Sequence, residues 1–290
     1  MVEGSARRWG IWAPGCLKDR KVVLGGGFVV VLVVLAVAAP LIAPRNPLEQ
    51  DIILGVTPPA WIAGAEPGHW LGTDDLGRDA LSRLIFGARV ALTVAFVASM
   101  LAAAFGTLLG LAAGWRRGWV DAAISRLVEI WMAFPPVLLS ILLVAVVGAG
   151  VGSVIAAIAI IDWTRFCRVV RAETMAQASA DYVTAARAIG FSSGHILARE
   201  ILPNILPVLI ALFSLEMGIA VVVEAILSFV GLSVSSDTPT WGGMIAQGRQ
   251  YLHQAWWILA FPLLMLFLTV LAFNQLGEGL RRALDPTLRR

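Results

Sequence analysis

Residues 90–115 read VALTVAFVASMLAAAFGTLLGLAAGW, a run of 26 residues between Arg89 and Arg116 that contains no Asp, Glu, Lys or Arg. A helix needs about 20 mainly apolar residues to cross the hydrocarbon core of a bilayer, so the run is long enough for one transmembrane span. The whole chain of 290 residues has the same character, with 59% hydrophobic and 14% charged residues, whereas soluble domains carry roughly 25% charge. The sequence therefore predicts an all-α membrane protein and argues against a soluble enzyme, a disordered chain or a secreted disulfide scaffold.

The cysteines and the net charge suggest no further class of protein. Cys16 and Cys167 lie far apart, and neither belongs to a CxxC or Cys/His cluster, so a disulfide framework or a zinc site is not indicated. The net charge of +3 is small, and the basic residues are segregated along the chain. Nucleic-acid binding is therefore not expected.

Other stretches poor in charge extend the prediction to six transmembrane helices. The predicted spans are residues 22–44, 90–115, 121–147, 151–171, 205–232 and 256–276. The third and fourth spans are separated by the glycine-rich residues 148–152. This division gives an N-terminal segment (1–21), a six-span domain (22–276) and a C-terminal tail (277–290). It also gives an external segment of about 45–89 and a cytoplasmic segment of about 172–204.

The distribution of Lys and Arg predicts the orientation of the spans. With six spans, both termini lie on one side, and 17 of the 22 basic residues fall on that side. Cytoplasmic segments carry the excess of Lys and Arg, so both termini are predicted to be cytoplasmic. A cleavable export signal beginning at Arg7-Arg8 is an alternative, but its apolar stretch is longer than the 7 to 15 residues typical of a signal peptide.

The predicted external segment contains TDDLGRD at residues 73–79. It lacks the spacing and the late Glu of an EF-hand calcium loop. We expect Asp74 or Asp75 to cap a short amphipathic helix that runs to Phe86, since Asp is a favoured N-cap residue.

Residues 181–204, DYVTAARAIGFSSGHILAREILPN, form the most informative stretch between the fourth and fifth spans. Asp181 is a good N-cap, Gly190 can adopt the left-handed conformation that ends a helix, and Ser192 or Ser193 can cap the next helix. The pattern predicts a two-turn helix, a sharp bend and a helix that leads into the fifth span. The small Ala185 and Ala186 would let another protein approach closely. The apolar anchors there are Tyr182, Val183, Ile189 and Phe191. A helix resting on lipid headgroups would have a similar pattern.

This segment resembles the EAA loop of permease subunits of bacterial ABC importers. The family pattern is Glu-Ala-Ala, three residues, Gly, nine residues, Ile, one residue and Leu-Pro. The matching positions here are Ala185, Ala186, Gly190, Leu202 and Pro203. Thr184 replaces the Glu of the pattern and Glu200 replaces the Ile, which weakens a specific role for those two positions.

Other motifs are similar to the C-type subunit of the oligopeptide, dipeptide and nickel branch of this family. They are residues 71–79 (LGTDDLGRD), 224–232 (EAILSFVGL), 239–244 (PTWGGM) and Asp285-Pro286. The resemblance implies a type I ABC importer permease fold in the bacterial cell membrane. It also implies a peptide importer, with oligopeptides favoured over dipeptides and nickel complexes as the alternative substrate.

The resemblance further implies the partners of the chain. They are a second homologous permease subunit forming a heterodimer, two cytoplasmic ATPases and an extracytoplasmic substrate-binding protein. The EAA loop of the family docks on the ATPase, which assigns ATPase coupling to Tyr182, Thr184, Ala185, Ala186, Gly190, Phe191, Leu202 and Pro203. ATP and Mg would be used by the ATPases, and no cofactor is expected in this chain. Lys18 and Lys21 are its only lysines and neither follows a Walker A glycine loop, so the chain is not expected to be an enzyme.

Four ionisable residues within the predicted spans are candidates for the translocation path or a gate, because such residues are costly in a bilayer. They are Asp162, Arg165, Glu216 and Glu224. The two glutamates are about 80° apart around a helix, so they could face one cavity and contact a peptide N-terminus, or they could hold the helix packing. We expect Asp162 and Arg165, at i and i+3, to form an ion pair within their helix.

Two other classes of membrane protein remain as alternatives. A self-contained secondary transporter or channel would need no ATPase and often has inverted repeats, but no such repeat is detected. A membrane-embedded enzyme is not supported, because the sequence has no HExxH motif and no cluster of His and Asp within the predicted spans.

Overall fold

The computed structural model describes residues 19–233 and 238–284 of the chain. Within them, the helices are α1 (Arg20–Val37), α2 (Ala39–Ile42), α3 (Ala80–Arg116), α4 (Gly118–Met132), α5 (Pro136–Val147), α6 (Val151–Ala178), α7 (Asp181–Ala188), α8 (Ser193–Phe229), α9 (Trp241–Gln250) and α10 (Trp256–Leu284). A π-helical turn, Ile196–Ile201, lies near the start of α8. The described residues form no β-strand, which confirms the all-α prediction. Residues 1–18 of the predicted N-terminal segment and the Asp285-Pro286 motif lie outside the described residues.

Several of these helices are suited to crossing a membrane. In the described part of the chain, α1, α3, α8 and α10 are long and apolar enough to do so, and the bent pair α4–α5 provides a fifth span if it is counted as one. Helix α6 has 28 residues, but Asp162, Arg165 and Arg168 interrupt its apolar stretch. The count of six spans therefore stays a prediction.

The third predicted span, 121–147, is not one continuous helix. Helices α4 and α5 meet at an angle of 84°. Proline lacks an N–H and clashes with the preceding turn of a helix, and Pro135 and Pro136 stand at this break, where Pro136 begins α5. The proline pair therefore divides the predicted span into two helices. By contrast, α10 continues as a helix through Pro262.

The helix that contains residues 90–115 starts earlier than predicted, at Ala80. Its N-cap is Asp79, whose Oδ2 accepts hydrogen bonds from the Ser82 backbone N–H at 2.8 Å and from its hydroxyl at 2.7 Å. The expectation of a separate helix capped by Asp74 or Asp75 was therefore wrong. Asp74 instead accepts from Arg78 Nε at 2.7 Å and forms an ion pair with Arg83, so its carboxylate is not available to cap a helix.

Helices α3 and α6 pack closely because three glycines of α3 face α6. A Cβ atom on Gly106 would lie 2.3 Å from the carbonyl oxygen of Trp163, and one on Gly110 would lie 2.7 Å from that of Cys167. Gly114 is equally close to Thr174. Small residues at four-residue spacing let the backbones of two membrane helices approach each other. This interface forms one wall of the core.

Helix α10 lies between α1 and α8, and glycines again permit close contact between these helices. A Cβ on Gly25 of α1 would lie 2.7 Å from the Ala272 carbonyl oxygen, and one on Gly277 of α10 would lie 3.0 Å from that of Ala211. The largest apolar cluster joins these helices to α3 and includes the fully buried Leu32, Val94, Leu227 and Phe273.

The segment 45–89 folds onto the helices next to it. Trp257 Nε1 donates to the Thr73 carbonyl at 3.1 Å, and Arg83 Nη1 donates to Gln247 Oε1 at 3.0 Å. His69 Nδ1 and Asp79 Oδ1 are 2.9 Å apart, and both side chains are buried. The segment is thus anchored to α3, α9 and α10 rather than extended away from them.

Candidate functional site

The segment 172–204 has the helix, bend and helix that the sequence predicts. Helix α7 begins at Asp181, but its N-cap is Ala180, which has extended backbone angles and makes no side-chain capping bond. The prediction that Asp181 is the N-cap was therefore wrong by one residue. Its carboxylate still lies in the first turn of α7, where it interacts favourably with the helix dipole.

The bend after α7 is a Schellman motif centred on Gly190. The Phe191 N–H donates to the Ala186 carbonyl at 3.1 Å, and the Gly190 N–H donates to the Arg187 carbonyl at 3.0 Å. Gly190 has φ of +93°, a conformation that glycine adopts without a Cβ penalty. Ser192 Oγ then accepts from the His195 N–H at 3.3 Å and caps α8. Both predicted roles are confirmed.

One face of α7 is buried at the junction of three long helices. Val183 and Ala186 are buried there and pack in a cluster with Val170 of α6 and the start of α8. The other apolar members include Leu111, Trp115, Ile196, Ile201 and Ile205. Ala186 therefore belongs to the interior, whereas Ala185 is exposed, so only one of the two alanines can meet a partner.

The bend that follows α7 presents apolar side chains to the surroundings. Ile189 is 74% exposed and Phe191 is 44% exposed, and we call this pair the Ile189–Phe191 ridge. The Phe191 ring stacks on His195 with centroids 4.5 Å apart. The Arg187 guanidinium lies 4.3 Å from the centroid of the Trp115 ring, a cation–π contact that ties the end of α7 to α3. Thr184 and Ala185 are exposed on α7 itself.

Leu202 and Pro203 occupy a different position from the ridge. Both are half-buried at the end of the π-helical turn, and Leu202 packs against the buried cluster under α7. They therefore fix the course of α8 rather than forming the exposed surface.

The Tyr182 hydroxyl makes contacts that its expected role as an apolar anchor does not include. It donates to Gln177 Oε1 at 2.6 Å and accepts from Asn204 Nδ2 at 3.4 Å. Gln177 lies at the end of α6 and Asn204 lies in α8. Sequence reasoning missed both residues because no spacing rule links side chains on three successive helices.

The charged residues of the predicted path are paired differently from the expectation. Arg165 Nη1 donates to both carboxylate oxygens of Glu216, at 3.0 and 3.3 Å, so its ion pair crosses from α6 to α8 rather than staying with Asp162. Asp162 is buried beside this pair and interacts electrostatically with both residues. We call these three residues the Asp162–Arg165–Glu216 cluster.

Glu224 has an environment of its own. It is buried and accepts hydrogen bonds from the hydroxyls of Ser228 at 2.6 Å and Ser233 at 3.2 Å. Ser233 lies just beyond the end of α8, so Glu224 joins that helix to the chain that follows it. Glu216 and Glu224 thus have separate sets of partners.

The long apolar helices are those of a multi-pass membrane protein, and a short helix lies at the junction of α3, α6 and α8. A family model described as "Binding-protein-dependent transport system inner membrane component" matches residues 106–290. A second model, "N-terminal TM domain of oligopeptide transport permease C", matches residues 17–59. The chain belongs to this family of ABC importer permeases, in the C-type branch, and is a multi-pass protein of the bacterial inner membrane.

Curated relatives match almost the whole chain. The di/tripeptide transport system permease protein DppC of Pseudomonas aeruginosa is 41% identical over 93% of this chain and 89% of its own length. The dipeptide transport system permease protein DppC of Escherichia coli K12 is 41% identical, with 94% and 91% covered. The glutathione transport system permease protein GsiD of Pectobacterium atrosepticum is 37% identical, with 94% and 89% covered.

A solved structure shares the fold. The MetNI methionine ABC transporter, solved in inward-facing conformations, matches with a TM-score of 0.58 at 20% identity. The match covers 70% of this chain and 96% of that one. This likeness confirms the type I importer permease fold that the sequence predicts.

Proposed function

We propose that this chain forms half of the translocation pathway of an ATP-driven importer of short peptides. Its relatives are named for dipeptides, di/tripeptides and glutathione, which favours short peptides over the oligopeptides expected from the sequence. The other half of the pathway is a second, homologous permease. An extracytoplasmic binding protein delivers the peptide, and two cytoplasmic ATPases use ATP and Mg.

The coupling part of the proposal rests on the placement of α7 and of the bend that follows it. One face of α7 is buried against α3, α6 and α8, whereas the Ile189–Phe191 ridge in the bend is exposed. A partner that binds the ridge therefore acts on three long helices together. We propose that the ATPase binds this ridge and the adjacent exposed Thr184 and Ala185, and that its closure rocks the spans between inward-facing and outward-facing states.

The Asp162–Arg165–Glu216 cluster has a supporting role in this mechanism. The ion pair in which Arg165 Nη1 donates to both carboxylate oxygens of Glu216 links α6 to α8 within the spans. The segment 172–204 joins the same two helices at their ends. We propose that the two attachments make α6 and α8 move as one body along the pathway.

The experiment that tests docking is the variant Ile189→Asp in the assembled transporter. Truncating a hot-spot residue at the centre of an interface costs about 2 kcal/mol or more, which is more than tenfold in affinity, and Ile189 is the most exposed apolar residue of the ridge. We expect the ATPases to be lost on co-purification through the permease, and uptake of radiolabelled dialanine by cells to fall at least about tenfold.

The matched control is Ile53→Asp, the same substitution at an isoleucine that is 93% exposed in the segment 45–89. It should retain the ATPases at the wild-type ratio. If Ile189→Asp also retains them, the docking proposal is wrong.

Competition for uptake tests the substrate: excess trialanine should reduce dialanine uptake more than excess pentaalanine does. Competition by a nickel–histidine complex alone would contradict a peptide substrate.

A further inference from the structure

We infer that Gln177, Tyr182 and Asn204 form a hydrogen-bonded clamp that positions α7 against α6 and α8, and that this clamp converts ATPase movement into movement of the spans. The inference rests on the proposed function, because it assigns a positioning role within the same coupling segment. Gln177 is the penultimate residue of α6, Tyr182 lies in the first turn of α7, and Asn204 lies in α8.

The Tyr182 hydroxyl is the centre of the clamp. It donates to Gln177 Oε1 at 2.6 Å and accepts from Asn204 Nδ2 at 3.4 Å. The same Asn204 amide donates to the Glu200 carbonyl at 2.6 Å. One side chain of α7 is thus connected to the end of α6 and to the backbone of α8.

The backbone of α8 explains why an amide is needed at position 204. The π-helical turn Ile196–Ile201 precedes it, and the Leu202 N–H donates five residues back to the Leu197 carbonyl. Pro203 has no N–H to donate, so one carbonyl of the preceding turn loses a backbone donor at this point. The Asn204 side chain adds a hydrogen bond to the Glu200 carbonyl in the same turn, which stabilises the transition from the π-helical turn to the α-helix, a type of feature that often marks functional sites.

The apolar contacts of α7 do not fix its orientation by themselves. Helix α7 has only eight residues, too few to be stable alone, and its inner face has two buried side chains, Val183 and Ala186. Apolar burial is non-directional and permits sliding or rotation. Hydrogen bonds have defined distances and angles, so the clamp sets the rotation of α7. It thereby holds in place the Ile189–Phe191 ridge, which lies in the bend directly after the last residue of α7.

The test is Tyr182→Phe in the assembled transporter, with both permeases, the ATPases and the binding protein, reconstituted in vesicles. The ring and its packing are kept, and only the hydroxyl is lost. The readout is radiolabelled dialanine imported per ATP hydrolysed. A typical hydrogen bond contributes about 0.5–1.5 kcal/mol, so we expect this ratio to fall by about 3- to 10-fold while the ATPases stay bound and continue to hydrolyse ATP.

Three further variants sharpen the test. Asn204→Leu should reproduce the fall in the ratio. Gln177→Met combined with Tyr182→Phe should be no worse than either change alone, because residues of one network are not additive. The control is Ser179→Ala, an exposed hydroxyl of the same segment that donates to the Ala176 carbonyl of the preceding turn, and it should keep the wild-type ratio.

The outcomes separate the clamp from the proposed function. If Tyr182→Phe and Asn204→Leu keep the wild-type ratio, or lower import and hydrolysis equally, the clamp is overturned. If at the same time Ile189→Asp still releases the ATPases, the docking proposal stands. If Ile189→Asp retains the ATPases and the wild-type ratio, the docking proposal fails and the clamp loses its basis.

Discussion

Gly190 shows how a single backbone conformation determines the shape of the segment 172–204. Its φ is +93°, and apart from Gly190 itself and its two chain neighbours no heavy atom lies within 4 Å of the position that a Cβ would occupy. A side chain at this position would therefore cost strain in the backbone and not a collision. The two hydrogen bonds of the Schellman motif hold this conformation and set the angle between α7 and α8.

Gly190→Val should leave the protein in the membrane but uncouple uptake from ATP hydrolysis. The left-handed conformation costs an ordinary residue about 1–2 kcal/mol, and a β-branched side chain is poorly suited to it. We expect peptide import per ATP to fall by about 5- to 30-fold, as that energy implies. Gly194→Val is the control, since Gly194 is helical and has equal free space. Wild-type import per ATP in Gly190→Val would contradict the role given to this bend.

At the scale of helices, the contact between α3 and α6 depends on the absence of side chains. Gly106, Gly110 and Gly114 face the backbone of α6, so the two helices approach more closely than larger residues would permit. This pair also holds Cys167 and Val170 in place, and Val170 belongs to the buried cluster under α7. The packing of α3 against α6 and the position of α7 are therefore linked.

Gly110→Val should destabilise the bundle. A Cβ there would lie 2.7 Å from both the Cys167 carbonyl oxygen and the Val170 Cβ, and backbone cannot move aside as a flexible side chain can. Overpacking of this kind costs about 1–3 kcal/mol, and we expect a lower midpoint of thermal unfolding in detergent. Gly27→Val is the matched control, because nothing lies within 4 Å of its Cβ position in α1. Equal midpoints for the two variants would show that the glycine contact is not needed.

The helices that the sequence predicted well are those whose signals are local. Long runs with little or no charge predicted α1, α3, α8 and α10, and the turn residues Gly190 and Ser192 predicted the bend after α7. The miss at Asp74 is local, because Asp74 binds Arg78 and Arg83 instead of capping a helix. The miss at Arg165 involves a partner distant in the sequence, because its side chain reaches Glu216 on the neighbouring helix rather than Asp162. Such choices depend on which helices become neighbours, and hydrophobic periodicity does not specify that.

At the scale of the whole molecule, the number of transmembrane spans depends on whether α6 crosses the bilayer. Its 28 residues extend about 42 Å at 1.5 Å per residue, which exceeds the roughly 30 Å of a bilayer core. Its charged residues do not all face lipid, since Asp162 is buried and Arg165 is paired with Glu216 of α8. Charged groups that face the interior of a bundle are compatible with a transmembrane helix. We therefore expect α6 to cross the membrane and to complete the six spans.

Cysteine labelling tests this topology directly, with single cysteines introduced at the two ends of α6 in a Cys16→Ser, Cys167→Ser background. Ala149 and Ser179 are both exposed, so each introduced thiol is accessible from its own side. With six spans and cytoplasmic termini, Ala149→Cys reacts with an impermeant maleimide on intact spheroplasts. Ser179→Cys reacts only after the membrane is permeabilised. Labelling of both positions from the same side would show that α6 does not cross the membrane. If both positions react on intact spheroplasts, the Ile189–Phe191 ridge would lie on the side opposite to the ATPases.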